Sequence, residues 1–295
     1  MVASPPSGLP PANTPLIGVA VMVLAMLLLP VGDAIGKHLT TFTLYTGAAL
    51  AWSRFVVGVV LVVPVAWSMG AFRGLGWGFV GRQALRGGLV GAAISCMTQA
   101  VATIPLADAY GTFFIGPALA AVLGVLLLKE RTGWADWAAV ALGFVGVLLV
   151  MSPSGAIEVG TFWALAAGTC FGCFLVATRW SAGTAPPIAQ LSGQFIAGLV
   201  LLAPLGLPGF LLHGVEGAGW LLLMGVTSGA ANLFQILAFR HAGAVYLAPI
   251  VYVQIISATA LSWAVLGDRP AALALAGLAI IVSAALFKVP WRRLI

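Results

Sequence analysis

Charge is the first thing this sequence lacks. Lys and Arg number 13 and Asp and Glu 7 among 295 residues, 7% of the chain, while hydrophobic residues make up 62%. A soluble domain carries about 25% charged residues. A chain this poor in charge cannot cover a water-facing surface. The mean hydropathy of +1.12 agrees, so lipid is the solvent for most of it. In lipid every backbone polar group must be satisfied within the protein, which leaves helices or closed barrels. The apolar runs are about 20 residues long and do not alternate, which selects helices.

Other absences narrow the function. The cysteines are Cys96, Cys170 and Cys173, all inside apolar segments. Cys170 and Cys173 have the spacing of a metal or redox pair, but no second pair and no nearby His joins them. They are read as small packing residues. His38, His213 and His241 are scattered at helix ends or in loops. There is no His/Cys/Asp cluster, no Ser-His-Asp set, no GxxxxGK[S/T] loop and no Gly-rich phosphate motif. Hence no catalytic residue and no metal is expected, nor ATP-driven pumping by this chain alone. The net charge of +6 sits singly or in pairs at predicted helix ends, not in a patch, which argues against nucleic acid. Residues 1–15 are Pro/Ser-rich and read as a disordered tail. No Lys or Arg precedes Lys37, so the first apolar segment lacks the basic region of a signal peptide and reads as a retained membrane helix.

What is present is a row of ten apolar segments, all-α and polytopic. They fall at 16–36, 43–67, 84–104, 108–128, 134–152, 159–179, 187–207, 217–239, 244–266 and 271–289. The longest connection is 68–83. Arg73, Arg82, Arg86, Lys129, Arg131, Arg179, Arg240, Lys288, Arg292 and Arg293 count to one side, and only Lys37 and Arg269 to the other. Basic residues collect in the cytoplasm, so both termini are expected there, including the basic tail 290–295. Trp67, Trp77, Trp134, Trp137, Trp180 and Trp291 fall at predicted helix ends, as interface anchors do.

The stretch from Met97 to Arg131 has a degenerate copy at Leu233–Arg269. Gln99 matches Gln235 and Tyr110 matches Tyr246 at a spacing of 136, and Glu130-Arg131 matches Asp268-Arg269 at 138. The second segment, from Arg54 to Pro64, matches Gln194 to Pro204 at 140, and Lys37 matches Arg179 at 142. The unit is therefore five helices, 16–152 and 153–289. Five is odd, so the second copy enters the membrane from the opposite side. Such inverted repeats typify secondary transporters with a site between the halves.

These residues carry a resemblance. Two sets of five helices, Arg54 in the second, Pro117 in the fourth, the closing Leu-Leu-Leu-Lys-Glu130-Arg131, and Gly143 and Gly146 in the fifth resemble the EamA domain. That domain occurs twice in transporters of the drug/metabolite transporter superfamily. The chain is similar over residues 16–289 and departs from the pattern at Gln194 and Asp268. Its general look is similar to aromatic amino acid exporters of the YddG type. The resemblance implies export of small metabolites across the bacterial cytoplasmic (inner) membrane, without a bound cofactor.

Several side chains could carry transport. Arg54 lies near mid-depth, where a charge costs about 2.5–3.5 kcal/mol on insertion scales. It either anchors a substrate carboxylate or ties helices together. Asp33, in Pro30-Val-Gly32-Asp33-Ala-Ile-Gly36-Lys37, either titrates in a coupling step or pairs with Lys37. Asp108 reads as a helix cap. Ser228, Asn232 and Gln235 share one helix face, beside a Gly225-x-x-x-Gly229 packing motif. Gln99 echoes them. These amides line a cavity or join helices. Tyr110, Phe114, Trp163, Tyr246 and Tyr252 are candidate aromatic walls, or packing residues. Pro117 and Pro249 act as hinges or static bends.

The expected function is a monomeric secondary transporter with a central cavity. It exports aromatic or other large apolar amino acids by alternating access. A phosphorylated substrate would need clustered Lys and Arg in the cavity, and Arg54 alone is expected at depth. A proton-coupled drug or metabolite exporter is the alternative. A polytopic membrane enzyme would need an acid/base or metal set that the sequence lacks.

Overall fold

The computed structural model describes residues 15–42, 45–104, 106–151, 158–213, 217–266 and 272–287. The two tails, the loop pair Asp268-Arg269, and the side chains of Asp33 and Asp108 lie outside the described residues. All regular structure among the described residues is helical. The order is α1 (Pro15–Phe42), α2 (Gly47–Ser68), α3 (Trp77–Thr103), α4 (Leu106–Phe113), α5 (Ile115–Leu128), α6 (Trp134–Met151), α7 (Val159–Trp180), α8 (Pro187–His213), α9 (Ala218–His241), α10 (Ala244–Val251), α11 (Gln254–Leu266) and α12 (Ala272–Phe287).

Twelve helices take the place of ten because two expected segments are interrupted. The 108–128 segment breaks at Phe114 and the 244–266 segment at Tyr252-Val253. Each still reads as one apolar stretch long enough to cross a bilayer, Ala109–Leu128 and Ala244–Leu261. Five further spans of this kind are Pro15–Gly36, Gly47–Ser68, Val159–Trp180, Pro187–Leu211 and Ala218–His241, and α6 and α12 add shorter apolar helices. The chain is a multi-pass membrane protein. α3 falls outside this group; Arg82, Gln83, Arg86 and Gln99 make it the polar helix of the set. It also starts at Trp77, so the expected 68–83 connection shrinks to a tight turn over 69–76, with Gly70 and Gly74 at positive φ.

The breaks differ in origin. Proline lacks an N–H and cannot bond the carbonyl four residues back. Pro117 thereby frees the carbonyl of Phe113, where α4 stops. Pro249 lies upstream of its break. There the chain turns through shorter bonds, from Val253 N to Ile250 O at 3.1 Å and from Ile255 N to Tyr252 O at 3.0 Å.

The helices pair across the sequence midpoint: α1 on α9, α2 on α8, α3 on α7, and α6 on α12. Without a hydrophobic drive between helices in lipid, close approach depends on small residues. The Gly168-x-x-x-Gly172 motif of α7 shows this most sharply. A Cβ on Gly172 would lie 2.6 Å from the Gly116 carbonyl oxygen, and one on Gly116 would lie 2.6 Å from that of Gly168. Gly168 meets the freed Phe113 carbonyl. The α4–α5 break is thus seated directly on the α7 backbone. The expected Gly225-x-x-x-Gly229 motif is used less evenly: Gly225 admits Val57 of α2, while Gly229 only touches Phe195.

Candidate functional site

The site is built where α3, α7, α8 and α9 converge. Gln83 and Arg86 lie one turn apart on α3, Gln190 and Gln194 one turn apart on α8, and Thr178 near the end of α7. Arg86 is 0% exposed. Its Nε donates to Thr178 Oγ1 at 3.2 Å, and its Nη1 to Gln83 Oε1 at 2.6 Å and the Gln190 carbonyl at 3.4 Å. Its Nη2 donates to Gln194 Oε1 at 2.6 Å. The same Gln194 donates through Nε2 to Asn232 Oδ1 at 2.8 Å, and Asn232 donates to the Ser228 carbonyl at 2.9 Å. A directional relay therefore runs from α3 through α8 into α9.

Among the described residues, every hydrogen-bond partner of this guanidinium is neutral. The expectation that Arg86 belongs to a connecting loop is corrected here: it lies within α3 and is fully buried. The amides of Gln83 and Gln194 and the hydroxyl of Thr178 supply the acceptors that let an arginine be buried. The spacing Gln83/Arg86 and Gln190/Gln194 was readable as a polar face, by the logic that singled out Ser228, Asn232 and Gln235.

Aromatic rings lead away from this cage. The Arg86 guanidinium carbon lies 5.8 Å from the Phe174 ring centre. Phe174 neighbours Phe171 at 6.2 Å, Phe171 neighbours Phe113 at 5.1 Å, and Phe113 neighbours Phe114 at 5.5 Å. Phe114 then reaches Tyr252 at 6.1 Å and Tyr110 at 6.2 Å. The line ends at the two helix breaks. Gly143 of α6 leaves room for the Tyr252 ring; a Cβ there would lie 2.7 Å from Cε2.

A second lock stands near the same end of α7. Lys129 adopts a left-handed turn after α5, φ 52°, and Glu130 N bonds back to Gly124 O at 3.2 Å. This is a Schellman-type ending, and it aims the Glu130 carboxylate at the start of α10. Glu130 accepts from Ala244 N at 3.0 Å and Val245 N at 3.1 Å, where the helix dipole favours an anion. Arg179 Nε joins Glu130 at 3.0 Å, and Arg179 Nη1 donates to the Phe239 carbonyl at 2.8 Å. Arg179, counted from sequence as a loop charge, is 5% exposed. Nearby, the Arg82 guanidinium stacks 4.9 Å over Trp180.

The other sequence candidates are distributed as follows. Phe114, Tyr252 and Tyr110 come together at the breaks, and Asn232 joins the relay. Gln235 is buried with Oε1 lacking a hydrogen-bond partner, as is the Tyr252 hydroxyl. Gln99 is exposed, so it does not share the environment of Gln235. Trp163 is 42% exposed on α7. Tyr246 is half-buried on α10. Arg54 Nη2 donates to the Gly32 carbonyl at 3.3 Å, tying α2 to α1. Pro117 and Pro249 are both buried. Asp33 falls on α1, but its side chain is outside the described residues. The three cysteines are free thiols, and no metal-holding group occurs among the described residues. A groove of about 470 Å³ between α5, α6 and α7 is apolar, lined by Leu119, Val122, Trp137 and Phe144 among others, and contains none of the expected site residues.

The sequence profile of the EamA-like transporter family matches twice, over residues 16–152 and 158–289. The chain is 25% identical over 278 residues to a riboflavin transporter of Rhizobium johnstonii, covering 92% of this chain and 90% of that one. It is 27% identical over 278 residues to the pseudopaline exporter CntI of Pseudomonas aeruginosa, covering 90% and 94%. A riboflavin transporter of Vibrio cholerae is 24% identical over 293 residues, covering 94% of each chain. One solved crystal structure superposes with a TM-score of 0.73 at 20% identity, covering 95% of this chain and 97% of that one, a likeness of fold. The chain belongs to the EamA-like transporter family of the drug/metabolite transporter superfamily.

Proposed function

We propose that this protein is a secondary transporter of the bacterial cytoplasmic membrane that exports small metabolites bearing an aromatic ring, with aromatic and large apolar amino acids first among them. One observation carries the reading: the line of rings from Phe174 through Phe171, Phe113 and Phe114 to Tyr252. Aromatic faces and edges offer a planar solute partners at every step, each pair worth about 0.5–1.5 kcal/mol beyond area burial.

The two halves are read as inverted repeats working by alternating access. The pairing of helices supports this. Exchanging the halves sends α1 on α9 into α7 on α3, and returns α2 on α8 and α6 on α12 to themselves. The breaks at Phe114 and Tyr252-Val253 fall in the segments that correspond under the same exchange. The proposed cavity residues remain Gln99, Tyr110, Phe114, Trp163, Asn232, Gln235, Tyr246, Tyr252 and Arg54. Pro117 and Pro249 are the hinges, and Asp33 is the coupling group of a proton-linked cycle. With both termini in the cytoplasm, the Arg86 cage and the Glu130–Arg179 pair close the inner end of the path. The chain acts as a monomer.

The relatives named for riboflavin favour a second reading within the same fold, a flat heteroaromatic metabolite. Purified protein in liposomes, given labelled phenylalanine, tryptophan and riboflavin, distinguishes the two. Flux of the amino acids down their gradients supports the first. Flux of riboflavin alone replaces it with the second, and flux of neither removes both.

A further inference from the structure

Arg86 is a positive charge sealed in a cage that, among the described residues, contains no negative one. A tie between α3, α7 and α8 needs no charge; amides and hydroxyls alone would serve, and burying a charge away from water without a counter-charge is costly. A guanidinium stays protonated in proteins, so the cost is borne in every state. A second observation points the same way. Gln83, 2% exposed, turns its Oε1 to Arg86 and leaves its Nε2 as a buried donor with no acceptor. The cage therefore presents a guanidinium and an idle N–H donor together. What it lacks is a strong acceptor.

We infer that Arg86, with Gln83, recognises an acidic group on the transported solute, a carboxylate in the first instance. The inference rests on the transport reading above and names the chemistry of its inner end. In the closed state the amide oxygens of Gln83 and Gln194 occupy the guanidinium. When α3 and α8 part, these oxygens withdraw and a carboxylate takes their place. Two parallel N–H···O bonds to a carboxylate are charge-assisted and roughly twice as strong as neutral ones. Gln83 Nε2 gains the acceptor it lacks. The Phe174 ring beside Arg86 places the aromatic part of the solute next to its acid. Release of the acid lets the amides return, so the relay through Gln194 and Asn232 reports to α9 whether the site is filled.

The test uses two probes that differ only at the acid, 3-phenylpropionate and 3-phenylpropionamide, bound to the full-length purified protein. The wild type is expected to prefer the acid by about tenfold, the scale of one charge-assisted contact. Arg86→Gln brings the preference to within about twofold of unity, Arg86→Lys keeps part of it, and Arg73→Gln, an exposed arginine of the 69–76 turn, leaves it intact. Gln83→Leu, which spares the guanidinium, lowers it several-fold. In the wild type alone, backbone hydrogen exchange across 83–90 slows with the acid and not with the amide. A wild type without preference overturns the inference. So does a preference that survives Arg86→Gln, or protection confined to other helices. Flux without acid preference removes this inference and leaves the transport reading; acid preference without flux does the reverse.

Discussion

Arg86 Nη2 and Gln194 Oε1 stand 2.6 Å apart, one on α3 and the other on α8, joining residues 108 positions apart in the chain. Gln194 holds both sides of this contact, since its other amide atom donates to Asn232. Gln194→Leu should cost about 1–3 kcal/mol, because it strands a guanidinium donor and an amide acceptor. Thermal unfolding in detergent checks this. In a cycle with Asn232→Leu the two losses should fall short of additivity by about 1 kcal/mol.

Glu130 links three helices through one carboxylate. Glu130→Ala leaves Arg179 buried without its counter-charge and uncaps α10. A loss of about 3–5 kcal/mol is expected, as for a half-removed buried ion pair. Glu130→Gln keeps acceptors for the α10 amides and should lose less. If both variants unfold like wild type, the pair is not part of the closed end.

The seat of the α4–α5 break on α7 leaves no space for a methyl group. Gly116→Ala and Gly172→Ala each drive a Cβ to 2.6 Å from a carbonyl oxygen. Each should lower stability by about 1–3 kcal/mol, the range for forced overpacking. Gly219 of α9 has nothing within 4 Å of its added Cβ, so Gly219→Ala should be neutral or mildly stabilising.

Pro117→Ala restores an N–H that can bond the Phe113 carbonyl. α4 and α5 should then approach one continuous helix, with slower hydrogen exchange at 113–118 and slower solute flux. Pro249→Ala should change exchange less, because its break lies downstream and is held by the turns at Ile250 and Tyr252. Equal effects on both would mean that neither proline sets its break.

The helical scaffold was legible because lipid leaves so few options for the backbone. Length of apolar run located most segments, while the interruptions at Phe114 and Tyr252-Val253 were not foreseen beyond the bends expected at Pro117 and Pro249. The site was legible only in part. Phe114 and Tyr252 were among the candidate aromatic walls or packing residues, and Asn232 was an amide on a polar face. Arg86 did not, because a basic residue near a helix end looks the same whether it faces water or folds into a cage. Its burial depends on Thr178, Gln190 and Gln194, which lie 92 to 108 residues away. The pairing of Arg179 with Glu130 was hidden for the same reason.

The pairing of α1 with α9, α2 with α8, α3 with α7 and α6 with α12 carries one last consequence. Each family match lends most of its packing surface to the other. A polypeptide cut between residues 152 and 158 should therefore yield two fragments that are insoluble apart and reassemble together.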